Sequence, residues 1–84
     1  MSLDEQFADA QKRVKTLTEA PPPQTLLKLY SLFKQASVGD ATGKRPGMMD
    51  FRGRAKFDAW AGIKGTSSDD AKEKYCSLVG SLVS

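Results

Sequence analysis

The chain has 84 residues, a formal net charge of +3, 39% hydrophobic and 27% charged residues, one cysteine and no histidine. Such a length supports one modest core, hence a single domain over residues 1–84, and the composition is that of a globular chain, not a disordered one. The missing histidine removes the commonest general base and metal ligand, the lone cysteine excludes an internal disulfide framework, and the charge is too mild to argue for duplex nucleic acid.

Function classes narrow accordingly. Neither Cys76 nor any serine has a histidine partner, so triad chemistry is out. Asp4 with Glu5, and Asp69 with Asp70, are sequence neighbours that point in different directions on a helix, so no paired-carboxylate site forms. The reading is a non-enzyme, with no metal and no cofactor. The opening "MSLDEQ" has neither the basic run nor the apolar run of a signal peptide, and no segment reaches the roughly 18 apolar residues of a membrane span. A cytoplasmic address without membrane insertion is therefore expected, and the lone cysteine agrees.

Along the chain, Leu3, Phe7, Ala10, Val14 and Leu17 recur at steps of four and three, which predicts a first amphipathic helix. Pro21 to Pro23 cannot continue it, because each ring removes a backbone donor. A second helix runs from about Pro23 or Thr25 through Leu26, Leu27, Leu29, Tyr30, Leu32, Phe33 and Ala36, with Gly39 as its stop. So apolar a run implies burial on more than one face. "GDATGKRPGMMD", Gly39 to Asp50, reads as a long loop, the kind that often carries function. Asp50 can cap a third helix whose stripe is Phe51, Ala55, Ala59 and Ile63, widened by Phe57 and Trp60 and ended by Gly65. Ser67, with Asp70 three residues on, resembles a capping box for a fourth helix with Ala71, Tyr75, Leu78 and Leu82 on one face. No period-two alternation is sustained, so the expected fold is all-α, a small four-helix bundle. The long link between helices two and three means that it need not be a simple up-down ladder.

The chemistry-bearing residues are cations and rings. From Lys44 to Lys56 lie Lys44, Arg45, Arg52, Arg54 and Lys56 against the single acid Asp50. Arg52 and Lys56, four apart on one helix, repel by a few tenths of a kcal/mol, which a bound phosphate would offset. Equally, both can point into solvent or pair with acids of another helix. Lys34 near a helix C-terminus is favourable without any ligand, yet with Tyr30 one turn back and Phe33 adjacent it forms a patch suited to a base and its phosphate. The competing reading makes Tyr30 and Phe33 core aromatics. Leu27 shares the Tyr30 and Lys34 face, so one surface would carry an apolar end and a cationic end.

Three linked blocks, "LLKLYSLFKQASVGD", "RPGMMDFRGRAKFDAW" and "KGTSSDDAKEKY", resemble the acyl-CoA-binding protein family over about Phe7 to Val83, in the expected order and spacing. The resemblance implies an up-down-down-up bundle that holds one medium- to long-chain acyl-CoA ester, palmitoyl-CoA for example, without catalysis. It implies transport or buffering by a cytoplasmic monomer, with no nucleic acid as partner. It carries Tyr30 and Lys34 over to the adenosine 3′-phosphate, with Lys56 beside them and Lys15 from the first helix. Ser31, Leu32, Phe33 and Arg52 fall within the ligand-contacting blocks, Tyr75 lies near the thioester and acyl end, and Leu26, Leu27 and Ala55 belong to the acyl-chain groove. Departures accompany the match: Phe33 stands where a second tyrosine is usual, Phe57 where a tryptophan is, and Arg52 where a lysine is common, which keeps the charge and permits a bidentate phosphate contact. The alternative is a small basic helical module for another nucleotide-like ligand or a protein partner.

Overall fold

The computed structural model describes residues 1–83. Its helices are α1 (Leu3–Val14), α2 (Pro23–Ser37), α3 (Phe51–Ala61) and α4 (Ser68–Val83), with no strand among the described residues, so the all-α four-helix fold expected from periodicity is found.

Local chemistry sets the ends of each helix. The α1 N-terminus is a reciprocal capping box: Ser2 Oγ accepts from the Glu5 N–H at 3.1 Å and the Glu5 carboxylate accepts from the Ser2 N–H at 3.3 Å. The helix closes at Val14 with Lys15 as its cap, short of the Leu17 that the periodic stripe includes. Lys15, Thr16 and Leu17 instead donate to carbonyls three residues back, a tightening turn ahead of the prolines. Pro23 opens α2 at a position whose N–H would have no helical partner anyway. Gly39, at φ +100°, lets its N–H reach the Lys34 carbonyl at 3.3 Å and ends the helix as expected.

Asp50 caps α3 by accepting from the Gly53 N–H at 2.9 Å. The helix stops at Ala61 with Gly62 as its cap, and Gly65, read from sequence as the terminator, turns the chain later at φ +93°. The expected α3 stripe is also narrower than its spacing suggests. Trp60 is its one buried residue and Phe51 is 76% exposed. Ser67 Oγ accepts from the Asp70 N–H at 3.1 Å to start α4. Along α4 the buried residues are Ala71, Tyr75 and Val79, while Leu78 and Leu82 pack at the edge of the core.

Packing explains both shifts. α4 lies against α1 and α2, whereas α3 rests against α2 alone. α4 therefore buries a wider face than one stripe, and α3 a thinner one. The core comprises Phe7, Ala10, Leu29, Leu32, Ala36, Ala71, Tyr75 and Val79, with the Phe7 and Tyr75 rings edge-on at 5.1 Å. Lys72 Nζ meets Asp4 Oδ1 at 2.5 Å and ties α4 to α1 at the surface.

A polar staple holds the long loop. Gln35, only 1% exposed, donates through Nε2 to Asp40 Oδ1 at 2.7 Å and to the Thr66 carbonyl at 2.8 Å. The Gly65 N–H donates to the same Asp40 oxygen at 2.8 Å, Ser68 Oγ donates to the Ala36 carbonyl, and Trp60 Nε1 donates to the Gly39 carbonyl at 2.7 Å. Arg45 clamps Asp58 through two nitrogens at 2.8 and 2.5 Å. The end of α2, the α3–α4 turn and the loop are thus fixed together.

Candidate functional site

Helical spacing on α2 and α3 generates a groove. Pro23, Leu26, Leu27 and Tyr30 occupy steps of three, one and three along α2, so they share a face. Arg52, Ala55 and Lys56 do the same on α3, and between the two rows lies a cavity of about 540 Å³. Its lining is four parts apolar, with two cations, one phenol and no carboxylate. A second depression, of about 570 Å³, is lined by Lys28, Glu73, Lys74, Ser77 and Leu78 between α2 and α4; Leu78 is its one apolar residue, and an acid stands among its cations.

Two cations of the α2–α3 seam lie over rings of the opposite helix. Lys56 Nζ on α3 lies 5.4 Å from the centroid of Tyr30 on α2, and Lys34 Nζ on α2 lies 5.1 Å from that of Trp60 on α3. Two reciprocal cation–ring pairs therefore draw both ammonium groups into the α2–α3 seam. Arg52, one turn before Lys56, keeps the like-charge neighbour that its spacing predicts, and no carboxylate lines the groove to neutralise the pair.

The other candidates sit elsewhere. Ser31 is 3% exposed and its Oγ donates to the Lys28 carbonyl at 2.8 Å; Leu32, also 3% exposed, belongs to the core. Phe33 is half-buried with its ring tilted 6.1 Å from Phe7. Tyr75 is buried against Phe7, and desolvation raises its phenol above the ordinary value, so it stays protonated. Lys15 is exposed at the end of α1 and is not among the groove residues. The structure thus brings together Leu26, Leu27, Tyr30, Arg52, Ala55 and Lys56, sets Lys34 one turn further along the same seam, and leaves Lys15, Ser31, Leu32, Phe33 and Tyr75 outside the lining.

Two contributors escaped the sequence reading. Pro23 looked like punctuation, yet its ring walls the groove. Trp60 looked like stripe packing, yet it positions Lys34 and anchors Gly39. An indole N–H needs a partner when buried, and that need was the available signal. Burial raises the Cys76 thiol, which removes thiolate character. Among the described residues no cluster of His, Cys, Asp and Glu is arranged to hold a metal, and no helix is long and apolar enough to cross a membrane.

A four-helix bundle with a groove that is apolar along its walls and cationic where two helices meet has the layout of a small-molecule binding site. The family model described as acyl-CoA-binding protein matches residues 4–79, and the chain belongs to that family. It is 50% identical over 84 residues to the acyl-CoA-binding protein homolog of Manduca sexta, covering 99% of this chain and 93% of that one. It is 51% identical over 77 residues to the acyl-CoA-binding protein homolog 1 of Caenorhabditis elegans, covering 92% and 90%. Its fold matches the crystal structure of acyl-CoA-binding protein 2 of Oryza sativa with a TM-score of 0.92 at 37% identity, over 96% of this chain and 90% of that one. These relatives are named for binding and not for catalysis.

Proposed function

We propose that this protein binds medium- to long-chain acyl-CoA esters, such as palmitoyl-CoA, and carries or buffers them as a monomeric domain over residues 1–84 in a reducing, cytoplasmic compartment. The observation that supports this most is the meeting of Arg52, Lys56 and Lys34 with an apolar wall of Leu26, Leu27 and Ala55 in one seam. A CoA ester has that same division, with a 3′-phosphate and diphosphate at one end and a hydrocarbon chain at the other.

In this reading Tyr30, Lys34 and Lys56 grip the 3′-phosphate and adenine, Arg52 adds a planar donor pair, and Lys15 closes on the phosphates from α1. Ser31, Leu32, Phe33 and Tyr75 act from behind, fixing the α2 face that the ligand touches. Phe33 offers no hydroxyl, so one polar contact is replaced by packing on Phe7. Burying about 14 methylenes at ~0.8 kcal/mol each sets an upper bound on the order of 11 kcal/mol, before the costs of association. The ionic grip then supplies selectivity for CoA esters over free fatty acids.

Calorimetry with palmitoyl-CoA, its 3′-dephospho analogue, palmitate and a short single-stranded oligonucleotide tests the reading. Palmitoyl-CoA is expected to bind tightest, the dephospho analogue to lose most of the polar contribution, and palmitate to bind weakly. An oligonucleotide that bound as tightly as palmitoyl-CoA would favour a basic nucleotide-binding module instead.

A further inference from the structure

The anchors of α3 all lie towards one end. Lys56 faces Tyr30 and Trp60 faces Lys34, and both pairs join residues 26 positions apart, so α2 and α3 run parallel along the seam in one register. That register sets Arg52 opposite Leu26 and brings Pro23, the first residue of α2, level with Met49, ahead of the first residue of α3. At the Trp60 end the indole N–H is bonded to the Gly39 carbonyl, and just beyond it the Gly65 N–H reaches Asp40 and the Gln35 amide reaches the Thr66 carbonyl. Towards the Pro23 end, Asp50 bonds only its own neighbours, donating to the Gly47 carbonyl and accepting from the Gly53 N–H. Among the described residues no hydrogen bond or ion pair crosses from residues 46–57 to α2, and the Lys56–Tyr30 contact alone carries a charge across the gap there.

The long loop divides at a matching place. Gly39 and Asp40 belong to the staple, whereas Arg45 is clamped to Asp58 of α3 itself. Between them Ala41 to Lys44 take part in no hydrogen bond among the described residues, and Gly43 turns at φ +89° with open space where a Cβ would stand. A few unbonded residues beside an element with one buried side chain are what a hinge requires. We propose that residues 45–61 move as one body, a lid that pivots at Trp60 on a hinge at Ala41–Lys44 and opens the groove from its Pro23 end. The swing carries Arg52, Ala55 and Lys56 away from Leu26, Leu27 and Tyr30 while the Trp60–Gly39 bond holds the pivot. A ligand that touches both sides of the seam binds the closed form better and shifts the lid towards it. The choice of palmitoyl-CoA as that ligand rests on the acyl-CoA reading; the hinge does not.

Paired spin labels on the full chain test the proposal, with Cys76→Ser removing the one free thiol. One pair, Gln24→Cys with Met49→Cys, spans the free end of the seam, and a second, Ser37→Cys with Ala61→Cys, spans the pivot end; all four positions are exposed. Without palmitoyl-CoA the free-end pair is expected to show a broad spread of distances and the pivot pair a narrow one. Saturating palmitoyl-CoA should collapse the first to a single short distance and leave the second where it was. Relaxation dispersion on the unsubstituted chain gives the same test without labels, so a variant that misfolds does not remove it: amides of residues 45–58 should share one exchange rate on the μs–ms timescale, lost on saturation with palmitoyl-CoA. A free-end distribution that is narrow from the start, equal breadth at both ends, or exchange spread evenly over α1 and α4 overturns the lid. Tight palmitoyl-CoA binding in calorimetry with free-end distances unmoved also overturns it and leaves the acyl-CoA reading standing. A broad free end in a chain that ignores palmitoyl-CoA overturns that reading and supports the lid.

Discussion

Lys56 and Lys34 each rest over an aromatic ring of the opposite helix. An exposed cation–ring pair is worth about 0.5 to 1 kcal/mol, whereas a hydrogen bond to a charged partner contributes about 1.5 to 3 kcal/mol. On the proposed function, a phosphate entering the seam would win the competition and draw the ammonium groups from their rings. Lys56→Ala is expected to weaken palmitoyl-CoA binding by roughly 1.5 to 3 kcal/mol by calorimetry, with a melting temperature close to that of the parent because the side chain is exposed. Unchanged affinity would remove Lys56 from the site. Trp60 is the chain's single tryptophan, so its emission reports on one place, the indole beside Lys34. Ligand binding is expected to shift that emission, and Lys34→Ala to abolish most of the response. A full response in the variant would mean that Lys34 does not move on binding.

At the scale of elements, the staple around Asp40 makes the loop sensitive to acid. The Gly65 N–H and then the Gln35 amide hold the Asp40 carboxyl below its ordinary value of 3.8. A carboxyl lowered on folding contributes stability in full above the unfolded value, and that contribution drains away as the pH falls below 3.8 through the folded value. Asp58, lowered by its Arg45 partner, adds a second loss in the same range. Asp40→Asn keeps an acceptor for both donors and removes the titration. Urea unfolding at about pH 5 and about pH 2.5 should show a smaller loss for the variant than for the parent. Equal losses would mean that the staple carries no linkage. Most helix ends were legible beforehand, because Gly39, Asp50 and Ser67 act through backbone bonds within three to five residues of themselves. What escaped was set by partners distant in sequence. Val79 is fully buried, where the spacing favoured Leu78, because α4 touches two helices. Phe51 is solvent-facing because α3 touches one. The cations behaved similarly: their spacing on α3 was plain, but a solvent-facing row and a phosphate grip look alike until α2 supplies Tyr30 and the leucines across the gap.

For the whole molecule, the helix contacts form a chain and not a ring: α1 on α4, α4 on α2, and α2 on α3. α3 is the terminal link. It buries Trp60 alone and is held to the rest by that packing, by the Trp60–Gly39 bond and by the Arg45–Asp58 clamp. Elements with few buried apolar contacts open locally at lower free energy than the global transition, so α3 amides are expected to exchange fastest among the four helices, apart from frayed ends. The groove lies on the one seam that attaches α3. A ligand gripping Tyr30 and Lys34 on one side and Arg52 and Lys56 on the other bridges that seam, and a ligand that binds only the closed form stabilises it by about 2.7 kcal/mol at a hundredfold excess over Kd. Hydrogen exchange with and without palmitoyl-CoA should therefore show the largest slowing in α3 and a smaller one in α1, which takes no part in the groove lining. Uniform slowing across all four helices would mean that α3 opens only with the whole bundle, and slowing confined to α4 would put the ligand outside the α2–α3 seam.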